Sequence, residues 1–477
     1  MGSVRGFFFG VLVLVSFELK AQVPSYRVGA APKWVVELPV PIAAVLDQHC
    51  VEGGVELLLL DRQYHLGEEV VYWRRATRLS TIQAVQHGSR FEMSFDPTYQ
   101  QLIIHYLRVI RDGVVIEKFD RKDARLLRRE ADMRSFLYDG SYTVVLELTD
   151  VRVGDIIEEA VSIVGWNPVD GGRFHRQLGM GFSIPIGRNH LRVVVPKGRD
   201  PLLKIHGSMV ERRVEVLPGG EAWVWDDGPL PCIQGEQGTP QWFNSFPWVE
   251  FSEFQDIDEL LNWAHEQYGR ELRTGGALTP LIAELREIPD VAARMDSAVA
   301  LVQREIRYLG LEDGISAYRP HSPSTVFQQK YGDCKDKSLL LSTILRSVGI
   351  PAFPALVSTT TGHALEDNLP RPSLFDHCIT VIPNDGDTLW VDPTSAHNGG
   401  VGAVRYTPYY GKALVIADGT KGLTTMMVRD QGAVDITEEI TLDTLGGEGT
   451  LSITSEFRGG RADGMRAFGF PQCSRIE

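Results

Sequence analysis

The chain has 477 residues, 43% hydrophobic and 23% charged, the balance of a globular protein with room for about three domains. Its formal net charge of −14 excludes nucleic acid as the main partner, because phosphate contacts need a basic face. The five cysteines, Cys50, Cys232, Cys334, Cys378 and Cys473, are too few and too scattered for a disulfide scaffold. None sits in a CxxC pair, so no zinc site is indicated, and no cofactor is expected. The odd count leaves at least one thiol unpaired within the chain.

Arg5 precedes an apolar run over 7–17. At about eleven residues it is too short to span a membrane and has the length of a signal-peptide core. With cleavage after Ala21, residues 1–21 are expected to be a leader, and the mature chain to be exported, periplasmic or secreted. No later segment reaches the roughly eighteen uncharged apolar residues of a transmembrane helix, so no anchor is expected in the mature chain.

Residues 22–230 are expected to form an N-terminal β-rich domain. The runs 142–148, 155–161 and 191–195 are rich in strand formers, 213–216 and 222–225 alternate, and Gly or Pro separates them. Many short strands with turn signals point to a β-sandwich-like fold. The basic stretch 121–134 is interleaved with Asp123, Glu130 and Asp132 and reads as a solvated face. His87, His105 and His190 are isolated and read as structural or surface residues. Glycines and prolines between Gly228 and Pro247 mark a connection, placed as a linker over 231–255.

Beyond the linker the period becomes helical and opens a domain over 256–428. Ile257, Leu260, Leu261 and Ala264 share a face, with Gly269 as a stop; a second helix over 290–308 carries Val291, Met295, Val299, Val302 and Ile306. Near the end, 436–440 and 449–454 look like strands, so residues 429–477 read as the start of a C-terminal β domain, short enough to be truncated.

The chemistry concentrates in 318–394. Positions 340, 341, 344, 345 and 348 form one helical face, and Gly349 with Pro351 stops it. Asp333 is a good N-cap, and Asp336 three residues later makes an acidic variant of the capping box. Cys334 then opens the helix, where unpaired N–H groups and the dipole favour a thiolate and can hold an oxyanion. Gly332 is expected to let a substrate approach closely.

A thiolate nucleophile needs a histidine and a group to orient it. Residues 375–393 read as a hairpin with a Pro383-Asn384-Asp385-Gly386 turn. If Ile382 opposes Asp387, His377 falls opposite Asp392 on the same face. Strand alternation points Asp376 and Cys378 the other way. Cys334 therefore remains the candidate nucleophile and Asp392 the candidate orienter, while Cys378 reads as structural. His363 and His397 read as surface residues, and Asp333 and Asp336 as caps.

These residues together resemble a known family. Gly332-Asp333-Cys334-Lys335-Asp336-Lys337 before an apolar helix, Phe375-Asp376-His377 on a strand, and Trp390-Val391-Asp392-Pro393-Thr394 are similar to the transglutaminase-like superfamily. Residues 306–310 and 317–320 are similar to its bacterial branch, in which an uncharacterised N-terminal β domain precedes the core. The resemblance implies a multidomain α+β protein with a papain-like core, in which Cys334, His377 and Asp392 are catalytic. It also implies a second oxyanion donor upstream of the cysteine, for which Tyr318 is the candidate. It implies acyl transfer through a Cys thioester on a protein or peptide substrate, cell-wall peptide included. Water would make the enzyme a hydrolase and a lysine-like amine a cross-linking transferase; the sequence itself does not decide, and hydrolysis is the expectation for an exported protein of the bacterial branch. Two other readings stay open: a non-catalytic envelope binding or assembly module that retains the triad, and, more weakly, a redox protein using Cys334 and Cys378.

Overall fold

The computed structural model describes residues 24–468 apart from 45, 47–49, 52, 129–136, 139, 208–209, 270–275, 312–313, 385–386, 403–404 and 428–431. The expected leader, residues 129–134 of the basic stretch, and Cys473 lie outside the described residues.

The N-terminal half is built on one nine-stranded sheet. Its order is Arg27–Val28, Gln101–Arg111, Ile156–Val164, Val70–Leu79, Val55–His65, Ile186–Pro196, Gly220–Asp227 and Arg213–Leu217, with Val114–Glu117 folded back on Gln101–Arg111. Two smaller three-stranded sheets cover it. Val71 and Trp73 lie two residues apart on one strand and so on one face. Trp73 packs into the cluster with Phe91, Val144 and Leu146, and Val71 into the cluster with Phe174, Val249 and Phe251. Both small sheets therefore sit on the same side, as a double sandwich. The short helix α1 (Ile82–Gly88) is capped by Thr81, whose Oγ1 accepts from Ala84 N at 3.0 Å.

The opposite face is crossed by the segment 34–44. Gln63 exchanges hydrogen bonds of 2.9 and 2.7 Å with the backbone of Val36, Arg74 donates to Leu38 O at 2.6 Å, and Arg192 to Trp34 O at 3.0 Å. Buried polar side chains on that face thereby find partners. His190 is not isolated, because its ring meets the Asp61 carboxylate at 2.7 Å inside the sheet. His105 is bridged between Gly29 O and Ser162 Oγ, each at 2.8 Å.

One expectation needs correction here. Trp248–Ser252, inside the expected 231–255 linker, is a strand buried at every position and the centre of the sheet formed with His175–Gly179 and Leu202–His206. The prolines before it end a loop; the alternating apolar residues after it belong to the N-terminal fold. Cys50 and Cys232 form a disulfide across 182 residues, a pairing that spacing alone does not reveal.

The second half holds helices α2 (Ile257–Gly269), α3 (Leu278–Arg286), α4 (Val291–Glu305), α5 (Pro323–Gln329) and α6 (Cys334–Ser347). They accompany a five-stranded antiparallel sheet ordered Asp387–Val391, His377–Asn384, Phe353–Val357, Lys412–Val415 and Thr424–Thr425. Helix α6 is buried along nearly its whole length. Leu340, Leu341, Ile344 and Leu345 meet α3, α4 and the edge of the sheet in one cluster. Helix α4 ends at Glu305, short of the expected 308, because Ile306 is extended. Arg307–Tyr308 then pairs in parallel with Tyr331–Gly332, the two residues that lead to the start of α6.

The last described part is a hairpin, Val434–Leu442 with Gly449–Phe457, followed by α7 (Gly460–Ala467). Asp463 of α7 accepts from Gly399 N at 3.0 Å and Arg466 donates to His397 O at 3.0 Å, which ties the segment to the core. Among the described residues no helix is long and apolar enough to cross a membrane.

Candidate active site

The N-terminus of α6 is fixed by a reciprocal cap. Asp333 accepts from Asp336 N at 3.0 Å, and its own N–H donates to Asp336 Oδ2 at 3.3 Å. Asp336 also accepts from His321 N at 2.7 Å, which anchors the incoming loop. Gly332 serves this cap: a Cβ there would lie 2.7 Å from Asp336 Cβ and 3.0 Å from Val326 Cγ1. Cys334 is left at the first helical position, 9% exposed, on a cleft of about 310 Å³. Trp263, Tyr268, Tyr318, Phe375 and His377 line the same cleft.

The hairpin that carries His377 is two residues tighter than expected. Asn384 pairs with Asp387 and Thr380 with Val391, which leaves only 385–386 between the strands. A slip of one residue would have turned the two side chains to opposite faces, but a slip of two preserves the face. His377 and Asp392 are thus diagonal instead of directly opposed, and their side chains close the gap. Nε2 of His377 lies 2.9 Å from Asp392 Oδ2. That leaves Nδ1 as the ring nitrogen open to Cys334, whose sulfur helps to raise the imidazole pKa.

Asp392 is 4% exposed and fully satisfied. Its Oδ1 accepts from Thr394 N at 2.9 Å and Thr394 Oγ1 at 2.6 Å, and its Oδ2 from the Tyr410 hydroxyl at 3.0 Å. Burial alone would raise its pKa, but His377 and the Thr394 donors outweigh it and pull the carboxyl down to about 2. Burial likewise works against a charged His377. The Asp392 carboxylate and the Cys334 sulfur outweigh it, holding the imidazole well above its ordinary value.

Residues 283–366 match the model of the transglutaminase-like superfamily core, and residues 65–233 that of a domain of unknown function, DUF3857. The central domain is a transglutaminase-like core. The matched stretch carries Cys334 and stops before His377 and Asp392. A candidate protease from Parabacteroides distasonis has the same fold, with a TM-score of 0.61 at 16% identity over 76% of this chain and 70% of that one. A candidate cysteine protease from Cytophaga hutchinsonii matches at a TM-score of 0.21 and 10% identity, over 60% of this chain and 89% of that one. A candidate nutrient-binding protein from Legionella pneumophila matches at 0.20 and 9%, over 62% and 95%. No curated protein matches the chain.

Within the transglutaminase-like core, Tyr318 stands on the cleft wall with its ring 5.8 Å from Trp263. Cys378 is 1% exposed, and burial together with the nearby Cys334 pushes its thiol upward. Its carbonyl accepts from Ser338 Oγ at 2.8 Å, which locks α6 to the His377 strand. Asp376 points away from His377 and caps the turn at Thr359, accepting from its N at 2.7 Å and its Oγ1 at 2.8 Å. His363 and His397 are exposed. Lys335 forms an ion pair with Asp333.

Three residues escaped the sequence reading. Tyr410 holds Asp392 and packs its ring 5.5 Å from His377, yet it lies outside every motif, in a loop before a strand. Gln303 on α4 donates to Asp392 O at 2.9 Å, and only its place on the buried face of a helix marked it. Lys337 is buried and donates to Ile306 O at 2.5 Å. Burial pushes its pKa down to about 8 against the opposing pull of Asp392. A lysine on the apolar side of α6 was the available signal.

Proposed function

We propose that the protein is a cysteine enzyme that cleaves amide bonds, with Cys334 as nucleophile, His377 as acid and base, and Asp392 as the group that orients the imidazole. The observation that carries this reading is the thiol at the start of a capped helix beside an imidazole clamped by a buried carboxylate. A protonated His377 stabilises a neighbouring thiolate, and the α6 terminus favours negative charge.

The sulfur attacks the carbonyl carbon. Its oxyanion is held by N–H groups at the α6 terminus, with Tyr318 as the donor from the facing wall. The C–N bond breaks as His377 passes its proton to the departing amine. Water then adds to the thioester, giving its proton to His377, and the C–S bond breaks to restore the thiolate. The similar Parabacteroides distasonis protein is described as a candidate protease, which favours water over an amine as the acceptor.

Cys50–Cys232 suits an oxidising compartment and supports export, with residues 1–21 as the leader. The N-terminal unit then runs from 22 through the strand ending at Ser252, and the catalytic unit over 256–428. A mature N-terminus at Gln22, read by N-terminal sequencing of the protein recovered outside the cytoplasm, is the expected result. An intact Met1 there would refute the leader.

The activity is tested with a labelled peptide library, with and without a primary amine, on wild type and Cys334→Ala. New peptide termini that disappear in the variant are expected. Amine incorporation without hydrolysis of any peptide would overturn the choice of acceptor.

A further inference from the structure

A second cleft, of about 900 Å³, lies between the two domains. This is near the upper end of the volumes usual for ligand sites. One side comes from the N-terminal domain, including Gln177, His206 and Trp248, and the other from the core, including Ser358, Thr360 and Asp367. The connecting loop 241–246 forms a third wall. Asp376 lines this cleft and also the cleft of Cys334, so the segment 371–376 leading into His377 is a wall common to both.

That wall is built, not loose. Arg371 is buried, forms an ion pair with the fully buried Glu250 and donates to Gln177 Oε1 at 3.0 Å. Glu250 also accepts from Leu369 N at 2.8 Å and meets His206 Nε2 at 2.6 Å. The His206 ring in turn stacks on Trp248 at 3.7 Å. The buried Arg371 and the half-buried His206 are thus taken up by one carboxylate.

The chemistry of the surface follows. With Arg371 and His206 engaged by Glu250, the charges that reach the cleft are the exposed carboxylates of Asp367 and Asp376. On the loop, Trp242 and Phe243 are 41% and 50% exposed, edge to face at 6.3 Å. Trp242 looks across the mouth at His363, 6.4 Å away. Large exposed aromatic rings in a concave site are contact points for an apolar side chain. The amides and hydroxyls of Gln241, Asn244 and Thr360 beside them suit a peptide backbone. A neutral glycan would use the rings but bring no charged partner to the two carboxylates.

Resting on the amide-cleaving reading of Cys334, we propose that the interdomain cleft is the outer part of the substrate groove. It binds an extended peptide on one flank of the scissile amide, with a large apolar side chain against Trp242 and Phe243 and a basic one at Asp367 and Asp376. The N-terminal domain is then a specificity wall of the enzyme.

The test is capture without turnover. Full-length Cys334→Ala is immobilised and offered a synthetic library of random decapeptides and, separately, a chitooligosaccharide. Retained peptides enriched in aromatic and in Lys or Arg residues are expected. Adding Trp242→Ala and Phe243→Ala should weaken retention about tenfold and erase the aromatic preference, which is the scale for exposed aromatic contacts. Adding Asp367→Asn should relax the basic preference alone, and Trp242→Phe should restore capture. No retention, or the same retained pool in every variant, overturns the proposal, and so does retention of the sugar in place of peptide. Failure of the catalytic reading appears elsewhere, as wild-type Cys334 that labels like an ordinary thiol, so the two outcomes are distinguishable.

Discussion

Replacing Asp392 by asparagine removes one buried charge and almost no volume. The carboxylate accepts four hydrogen bonds, from His377, Tyr410 and both donors of Thr394. Its pKa falls from 3.8 to about 2 in the fold, a difference worth about 2.5 kcal/mol. Because the folded value is the lower one, this stability is present in full above pH 3.8 and is lost as the pH falls to about 2. Asp392→Asn should therefore lose about 2 kcal/mol at pH 7, roughly 4–8 °C in Tm for a domain of this size. The wild-type advantage should shrink steadily below pH 4. Turnover should fall further, on the order of 10⁴-fold, because an amide no longer fixes the imidazole tautomer or balances its charge. Urea unfolding of both proteins at several pH values, followed by tryptophan fluorescence, measures the first effect. A stability difference that stays constant from pH 5 to pH 2 would refute the electrostatic account of this carboxylate.

Glu250→Ala strands the buried Arg371 guanidinium and should cost roughly 3–5 kcal/mol in urea unfolding; a loss within experimental error would show that the two domains are not joined there. Lys337 is protonated less readily in the fold, with its pKa down to about 8. The unfolded chain therefore binds the extra proton between about pH 8 and 10.5, and wild-type stability should rise with pH across that window. Lys337→Met should remove this rise, and an identical pH profile in the variant would contradict it. Gly332→Ala forces a Cβ against Asp336 and Val326. It should destabilise by about 1–3 kcal/mol and slow Cys334 alkylation by loosening the cap, as a thermal melt and a labelling time course would reveal.

The site was more legible than its surroundings. Asp333, Cys334 and Asp336 announce a capped helix because capping is local chemistry within four residues. The hairpin position of His377 and Asp392 was readable because strand alternation has a period of two, which tolerates the register error of two that the turn introduced. Tyr410 and Gln303 were not readable, since each reaches Asp392 from a separate element and no local pattern encodes that meeting. The same holds for Glu250 and Arg371, 121 residues apart and joined only when the domains dock. In the N-terminal half the strands were legible, but the sharing of one long sheet by two small ones was not. Trp248–Ser252 was read as linker because the Gly and Pro punctuation before it masked a short strand.

The central claim rests on the state of one sulfur. The direct measurement is the pH dependence of Cys334 alkylation by iodoacetamide, followed by peptide mass spectrometry in wild type and His377→Ala. An imidazole held well above its ordinary value by Asp392 should pair with a thiolate in mildly acidic solution. The account predicts rapid labelling of wild-type Cys334 near pH 6 that is lost in the histidine variant. Slow labelling that follows an ordinary thiol pKa of about 8.5, unchanged in His377→Ala, would contradict it.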